Sequence, residues 1–330
     1  MLSPQALLQL VDYSEFYGCI LSVCTNLLVL FLLIFFSSHC FGSYKYLMIS
    51  YSIVDIVYSL AFFSSGLHAH STSTYYILFR IDLNPDRKYG PLFILQYCGT
   101  YSALLILLVL HFVYRYVAIC RPEKLYLFAN NRLFHYIGFC VMFGLSVVAI
   151  KYFTLGEFTY ATNLISNDFA ETYGLDMGIV VYNGPVYYDQ NDEKPLLVWS
   201  LMIFVGLLLI FLFSTMIFCG IQCYTKLQNA AQSLSGRTRR VQRELNIALI
   251  IQATIPCLFL YTPSELLFLS PMFGVGFGEY ANLMIACFSF YPCLEQLAVI
   301  YVTKDFWNTL KVFLRQRRKE SRATTTITDL

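Results

Sequence analysis

Six side chains that carry charge or bond strongly stand inside otherwise apolar stretches: Asn26, Asp55, His111, Arg115, Glu265 and Glu295. An ionisable group at the centre of a bilayer costs about 2.5–3.5 kcal/mol, so each needs a partner or a task. Two chemistries fit: a proton or ion relay, or a hydrogen-bonded cluster that joins helices and switches between states. A relay requires acids along several segments, and the fourth and fifth apolar segments have none. That favours a structural and switching cluster of Asn26, Asp55 and Glu295. His68-Ala-His70 has no third ligand at metal spacing, and no Ser–His or paired-acid motif lies in the apolar segments. The expectation is no enzyme, no cofactor and no metal site.

The elements that must position these residues follow from composition. Of 330 residues, 58% are hydrophobic and 13% charged, against about 45–50% and about 25% in soluble domains. A net charge of +2 gives no ground for a nucleic-acid partner. A spanning helix needs about 20 apolar residues. Seven segments qualify: Phe16–Phe36, Tyr46–Phe63, Leu92–Cys120, Phe134–Phe153, Leu196–Phe218, Leu245–Phe268 and Tyr280–Val302. Alternate connections hold 16 and 4 Lys and Arg, which places the N-terminus outside and the tail in the cytoplasm. The sequence thus predicts an all-α membrane protein, a seven-transmembrane helix bundle over residues 16–302. Residues 1–15 are expected as an extracellular N-terminus and 303–330 as a cytoplasmic tail.

The connections add detail. Phe306, Leu310, Phe313 and Leu314, with Lys311, Arg315, Arg317, Arg318 and Lys319 between or beyond them, predict a short amphipathic helix lying on membrane lipid. Thr154–Pro195 holds seven acidic residues, and Asn183-Gly184 between β-prone runs reads as a hairpin turn. His135, Lys151 and Glu265 lie near span ends, where such side chains snorkel to the interface. Pro256, Pro263 and Pro292 predict kinks in the sixth and seventh spans, hinges that convert a contact at one face into displacement at the other.

The segment His111-Phe-Val-Tyr-Arg115-Tyr-Val-Ala-Ile-Cys120-Arg-Pro122 resembles the Asp-Arg-Tyr…Ala-Ile-Cys…Pro motif of rhodopsin-like G protein-coupled receptors, with Tyr114 in place of the acid. Asn26, Asp55 and Pro292 fall where that superfamily has its polar core and span-seven proline. The whole chain is still more similar to nematode chemoreceptors of the Str class, which includes the diacetyl odorant receptor. The marks are Ser43-Tyr-Lys-Tyr-Leu-Met48, His111–Tyr116, Gln252-Ala-Thr-Ile-Pro256 and Tyr291-Pro-Cys-Leu-Glu295. Two departures stand out. Gly90 occupies the position of the usual span-three cysteine, and Thr154–Pro195 has no Cys.

The resemblance implies a multi-pass chemosensory, olfactory receptor in the plasma membrane of a sensory cilium. Its implied partners are a small odorant or pheromone, a heterotrimeric G protein, membrane lipid and a trafficking accessory protein. On that basis a ligand is expected against Tyr97, Tyr101, Trp199 and Tyr261, between spans three, five, six and seven. Arg115, Tyr114, His111, Pro256 and Pro292 are expected to form the switch that couples to the G protein. A seven-span odorant-gated cation channel is the alternative, and it would place the N-terminus inside.

Overall fold

In hydrocarbon a backbone must satisfy its own N–H and C=O groups, so apolar runs of this length fold as helices. The computed structural model describes residues 3–36, 43–82, 89–129, 131–188, 195–229 and 236–312. In chain order come α1 (Pro4–Phe36), α2 (Tyr44–Ser65), β1 (His68–Ser71), β2 (Tyr76–Ile81), α3 (Gly90–Cys120), α4 (Arg132–Thr154) and α5 (Thr159–Tyr173). They are followed by β3 (Val180–Asn183), α6 (Leu196–Asn229), α7 (Gly236–Pro256), α8 (Thr262–Leu269) and α9 (Ala281–Val302). Among the described residues, seven helices are long and apolar enough to cross a membrane: α1, α2, α3, α4, α6, the continuous rod Arg240–Phe273 and α9.

The largest departure from the expected boundaries is α1, which begins at Pro4 rather than near Phe16. Leu7, Val11, Glu15 and Gly18 continue its buried stripe, so Glu15 is docked rather than free. In the basic stretch Gly220–Glu244, residues 220–229 and 236–244 are helical too, because Cys223, Leu227, Val241 and Leu245 stay buried against neighbouring helices. After α9, residues 304–312 are helical, with Phe306 buried and Trp307 and Leu310 packed on the core. The expected continuation through Phe313, Leu314, Arg315, Arg317, Arg318 and Lys319 lies outside the described residues.

The helical bundle is as expected, and its connections add a small sheet. β1, β2 and β3 form an antiparallel sheet in that order, pairing His68 with Phe79 and Leu78 with Asn183. Alternate residues of β2 face opposite ways. Tyr76 and Leu78 join the bundle core, whereas Ile77 and Phe79 join a second core under α5. The buried face of α5 is Ala161, Ile165, Phe169 and Tyr173, spaced by whole turns. Asn183-Gly184 is not a hairpin turn. It lies flush on Tyr76 and Ile77, where a Cβ on Gly184 would meet the Tyr76 carbonyl at 2.1 Å. The β-prone run pairs with a strand from the preceding connection instead of folding on itself.

This cap closes the end of the bundle where the chain begins. Glu15 accepts the Leu67 backbone N–H at 2.8 Å, Asn282 accepts that of Ala69 at 3.0 Å, and Ser71 accepts that of Gly278 at 2.7 Å. His70 lies 2.8 Å from Asp168, which also accepts the Tyr75 hydroxyl. Among the described residues every cysteine is free. At the position of the usual bridge, Gly90 packs directly on Val181, which a Cβ would meet at 2.7 Å.

Two expectations follow from this packing. Gly18 seats α1 on α9, with Ser14 and Ser289 hydroxyls 3.2 Å apart, and a Cβ there would stand 2.5 Å from the Ser289 carbonyl. Gly18→Val should therefore destabilise the protein by about 1–3 kcal/mol, read as a lower melting temperature in detergent, whereas Gly206→Val, with open space around it, should not. The second concerns the cap. Burial lowers the pKa of His68 from 6.5 to about 4, and Asp12, 3.5 Å away, is 62% exposed and a weak counter-charge. Between those values an opened cap binds a proton that the closed cap excludes, so closure is favoured above about pH 6.5 and lost as pH falls towards about 4. Burial raises Asp168, but bonds from His70, Tyr75 and Thr172 outweigh it and hold it below 3.8, so that clasp persists through the window. Hydrogen exchange of 68–81, corrected for intrinsic rates, should rise on acidification, and His68→Gln should flatten the rise. Equal exchange at both ends of the range refutes the account.

Candidate functional site

Three layers run down the bundle axis, beginning beneath the cap. The first is aromatic. Tyr97 and Tyr101 lie one turn apart on α3 with ring centroids at 6.2 Å, and Tyr101 meets Tyr261 edge-on at 5.4 Å. Phe213, Tyr58 and Tyr291 extend the layer to α6, α2 and α9. Trp199 does not join it. Its indole donates to the Tyr187 carbonyl at 2.9 Å and packs on Tyr187 and Tyr188, so it anchors the end of the cap to α6. Lys151 does not snorkel outward as expected. Its ammonium turns into the bundle, 3.2 Å from the Cys98 sulfur and 5.5 Å from the Phe268 ring, because α4 leaves it facing α3 and α8 rather than solvent.

The second layer is polar. Asn26 donates to Asp55 at 3.0 Å, and Gln296 donates to the same carboxylate oxygen at 3.4 Å. Glu295 accepts the Tyr51 hydroxyl at 3.2 Å, and Gln252 lies beside it. Asn26, Asp55 and Glu295 are all fully buried, so the expected trio does converge, although Glu295 binds through its own partners. His111 donates its Nε2 proton to the Leu47 carbonyl at 3.1 Å and lies against Tyr44 and Tyr51. The second carboxylate oxygens of Asp55 and Glu295 and the amide oxygens of Gln252 and Gln296 have no hydrogen-bond partner among the described residues, an arrangement suited to bridging water.

The third layer is a latch at the opposite end from the cap. The Arg115 guanidinium, 2% exposed, donates to the Gln242 side-chain oxygen at 2.6 Å and its backbone carbonyl at 2.8 Å. It also lies over the Tyr44 ring at 5.3 Å, and Tyr44 stacks on Tyr114. The acid that rhodopsin-like receptors carry at position 114 is thus replaced by a ring that holds Tyr44 in place. Two residues beyond Gln242, Glu244 accepts the Lys304 backbone N–H at 3.3 Å, which ties the same helix to the segment after α9.

Layers one and three share one rod. Pro256 ends the regular α7 helix, a π-helical turn Cys257–Tyr261 follows, and α8 resumes with Pro263 in its first turn. Proline has no N–H to donate and crowds the carbonyl four residues earlier; one wide turn relieves both. Pro292 lies inside α9, between Tyr291 and Glu295.

Sequence reasoning missed Gln242, Gln296 and Tyr51. Each is an uncharged side chain that becomes informative only when a buried ion is found beside it.

Residues 11–311 match the family described as the serpentine type seven-transmembrane G protein-coupled chemoreceptor Str. Serpentine receptor class r-10 of Caenorhabditis elegans is 30% identical, covering 98% of this chain and 97% of its own. Serpentine receptor class r-10 of Caenorhabditis briggsae is 28% identical over 96% and 95%, and the G-protein coupled receptor str-33 of C. elegans is 24% identical over 89% and 87%. With that full-length match and seven membrane-spanning helices, the chain belongs to the Str family of serpentine seven-transmembrane chemoreceptors.

Proposed function

We propose that this receptor is olfactory, that it lies in the ciliary plasma membrane with its N-terminus outside, and that it activates a heterotrimeric G protein. A small odorant or pheromone binds beneath the cap against Tyr97, Tyr101 and Tyr261. Binding favours a state in which the rod rotates at its π turn and draws Gln242 away from Arg115. The crevice so opened, floored by Arg115 and rimmed by basic residues, accepts a helix of the G protein.

The observation that carries this reading is the Arg115–Gln242 latch. It joins span three to span six through neutral acceptors only, a contact that holds the resting state and still releases. Nothing among the described residues favours the channel.

Arg115→Ala should abolish G-protein signalling while surface expression and ligand binding persist; preserved signalling refutes the role. Gln242→Ala removes one charge-assisted bond of about 1.5–3 kcal/mol and should raise ligand-independent signalling several-fold in a cyclic-nucleotide or calcium reporter. An unchanged baseline removes the latch from the mechanism. An epitope at Met1 should be reachable by antibody on intact cells, and staining only after permeabilisation would reverse the orientation.

A further inference from the structure

Three thiols converge where α3 and α6 meet near the latch: Cys120, Cys219 and Cys223. The helices pack closely there, with Tyr116 and Phe218 rings 5.8 Å apart. Cys219 and Cys223, one turn apart on α6, are 4% and 1% exposed, whereas Cys120 at the end of α3 is partly exposed. The Cys120 and Cys223 sulfurs lie within interaction distance of each other, and Cys219 lies close to Cys120 as well. Cys223 also lies within electrostatic reach of Arg115 and Tyr44, the two groups that make the latch. A sulfenic acid formed on an accessible thiol condenses with a neighbouring thiol to a disulfide, and Cys223 supplies that neighbour.

We propose that Cys120 and Cys223 form a reversible disulfide when hydrogen peroxide reaches the receptor, and that this bond restrains α3 against α6 and damps signalling. The Cys120 sulfur, as its thiolate, attacks one peroxide oxygen. The O–O bond breaks, and the departing hydroxide takes a proton to leave as water. The resulting sulfenic acid is then attacked by the Cys223 sulfur: the S–S bond forms, the S–O bond breaks, and a second water leaves carrying the Cys223 proton. The two sulfurs together lose two electrons and the peroxide gains them. A disulfide sets the two Cα atoms about 4.4–6.8 Å apart, which fixes helix spacing five residues from Arg115. Arrangements with a wider crevice are then disfavoured.

The effect on signalling rests on the G-protein reading above, whereas the cross-link does not, so the two can fail separately. Cells expressing the full-length receptor are exposed to hydrogen peroxide, alkylated with N-ethylmaleimide and digested for mass spectrometry. The expected product is a Cys120 peptide joined to a Cys223 peptide with the loss of two hydrogens. It should be absent from Cys120→Ser and Cys223→Ser and retained in Cys219→Ser. Both thiols fully alkylated after peroxide, or a link from Cys120 to Cys219 alone, overturns the pair. In the same cells, peroxide should lower the ligand response of the wild-type receptor about fivefold, within the usual range of coupling between sites. Dithiothreitol should restore it, and Cys120→Ser should be insensitive. A cross-link that forms without changing the response overturns the regulatory role and leaves the chemistry standing.

Discussion

A guanidinium enclosed at one end of the bundle, with no carboxylate paired to it among the described residues, constrains the positions of three helices at once. Arg115 is stabilised by a side-chain amide, a backbone carbonyl and an aromatic face. A buried Arg–carboxylate pair costs about 3–5 kcal/mol to break from one side, because the remaining charge is stranded. Neutral acceptors hold less tightly, so the barrier to separation is lower. Yet the cation cannot be left bare in a low-dielectric crevice. Gln242 can depart only as water or new carbonyl acceptors arrive, which makes opening of the crevice and occupation of the crevice parts of one event.

The rod that carries Gln242 also carries Tyr261, nineteen residues further on, or about 28 Å along a helix. Pro256 lies between them, and the π turn ends on Tyr261 itself, at the aromatic end. A hinge so placed has a short arm under the cap and a long arm reaching the latch. In the proposed switch, a tilt that moves the Tyr261 ring slightly would move Gln242 much further. The polar layer sits across from the hinge, where Gln252 beside Glu295 joins the rod to α9. The incomplete hydrogen bonding of this layer means that its side chains can exchange partners without leaving a fully satisfied network, which keeps the switching step shallow.

The spans were legible because hydrocarbon enforces a length and a composition that single residues cannot disguise. The buried ions were legible for the same reason: Asp55, Arg115 and Glu295 are conspicuous against leucine and phenylalanine. What faces them was not. Gln242 lies in a run of arginines and glutamates that reads as a solvated helix end, and nothing local distinguishes a glutamine that caps a buried cation from one that faces water. The cap failed for another reason. Its strands come from connections about a hundred residues apart, and alternation along β2 is masked because both faces are buried, one on the bundle and one on α5. Trp199 shows the remaining limit: periodicity gives the side of a helix, not whether its neighbour is a ligand wall or the underside of a cap.

The cap also answers what replaces the missing covalent bridge. A disulfide would hold the second long connection to α3 at a single point; here Gly90 against Val181, the β2–β3 ladder and the bonds from Glu15 and Asn282 spread the attachment over α1, α3 and α9. A distributed attachment is stable in sum and weak at each contact, so parts of it open locally without unfolding the bundle. Beneath it the tyrosine layer is closely packed, and on the proposed reading a ligand arriving from the cap end would have to displace some of that structure to reach Tyr101 and Tyr261. On that reading the opening of the sheet would govern entry and release, and the affinity for a ligand would fall with the fraction of time the cap stays closed. A receptor tuned by its cap in this way can change its sensitivity through residues such as Asp12, His68 and Asp168, none of which needs to touch the ligand.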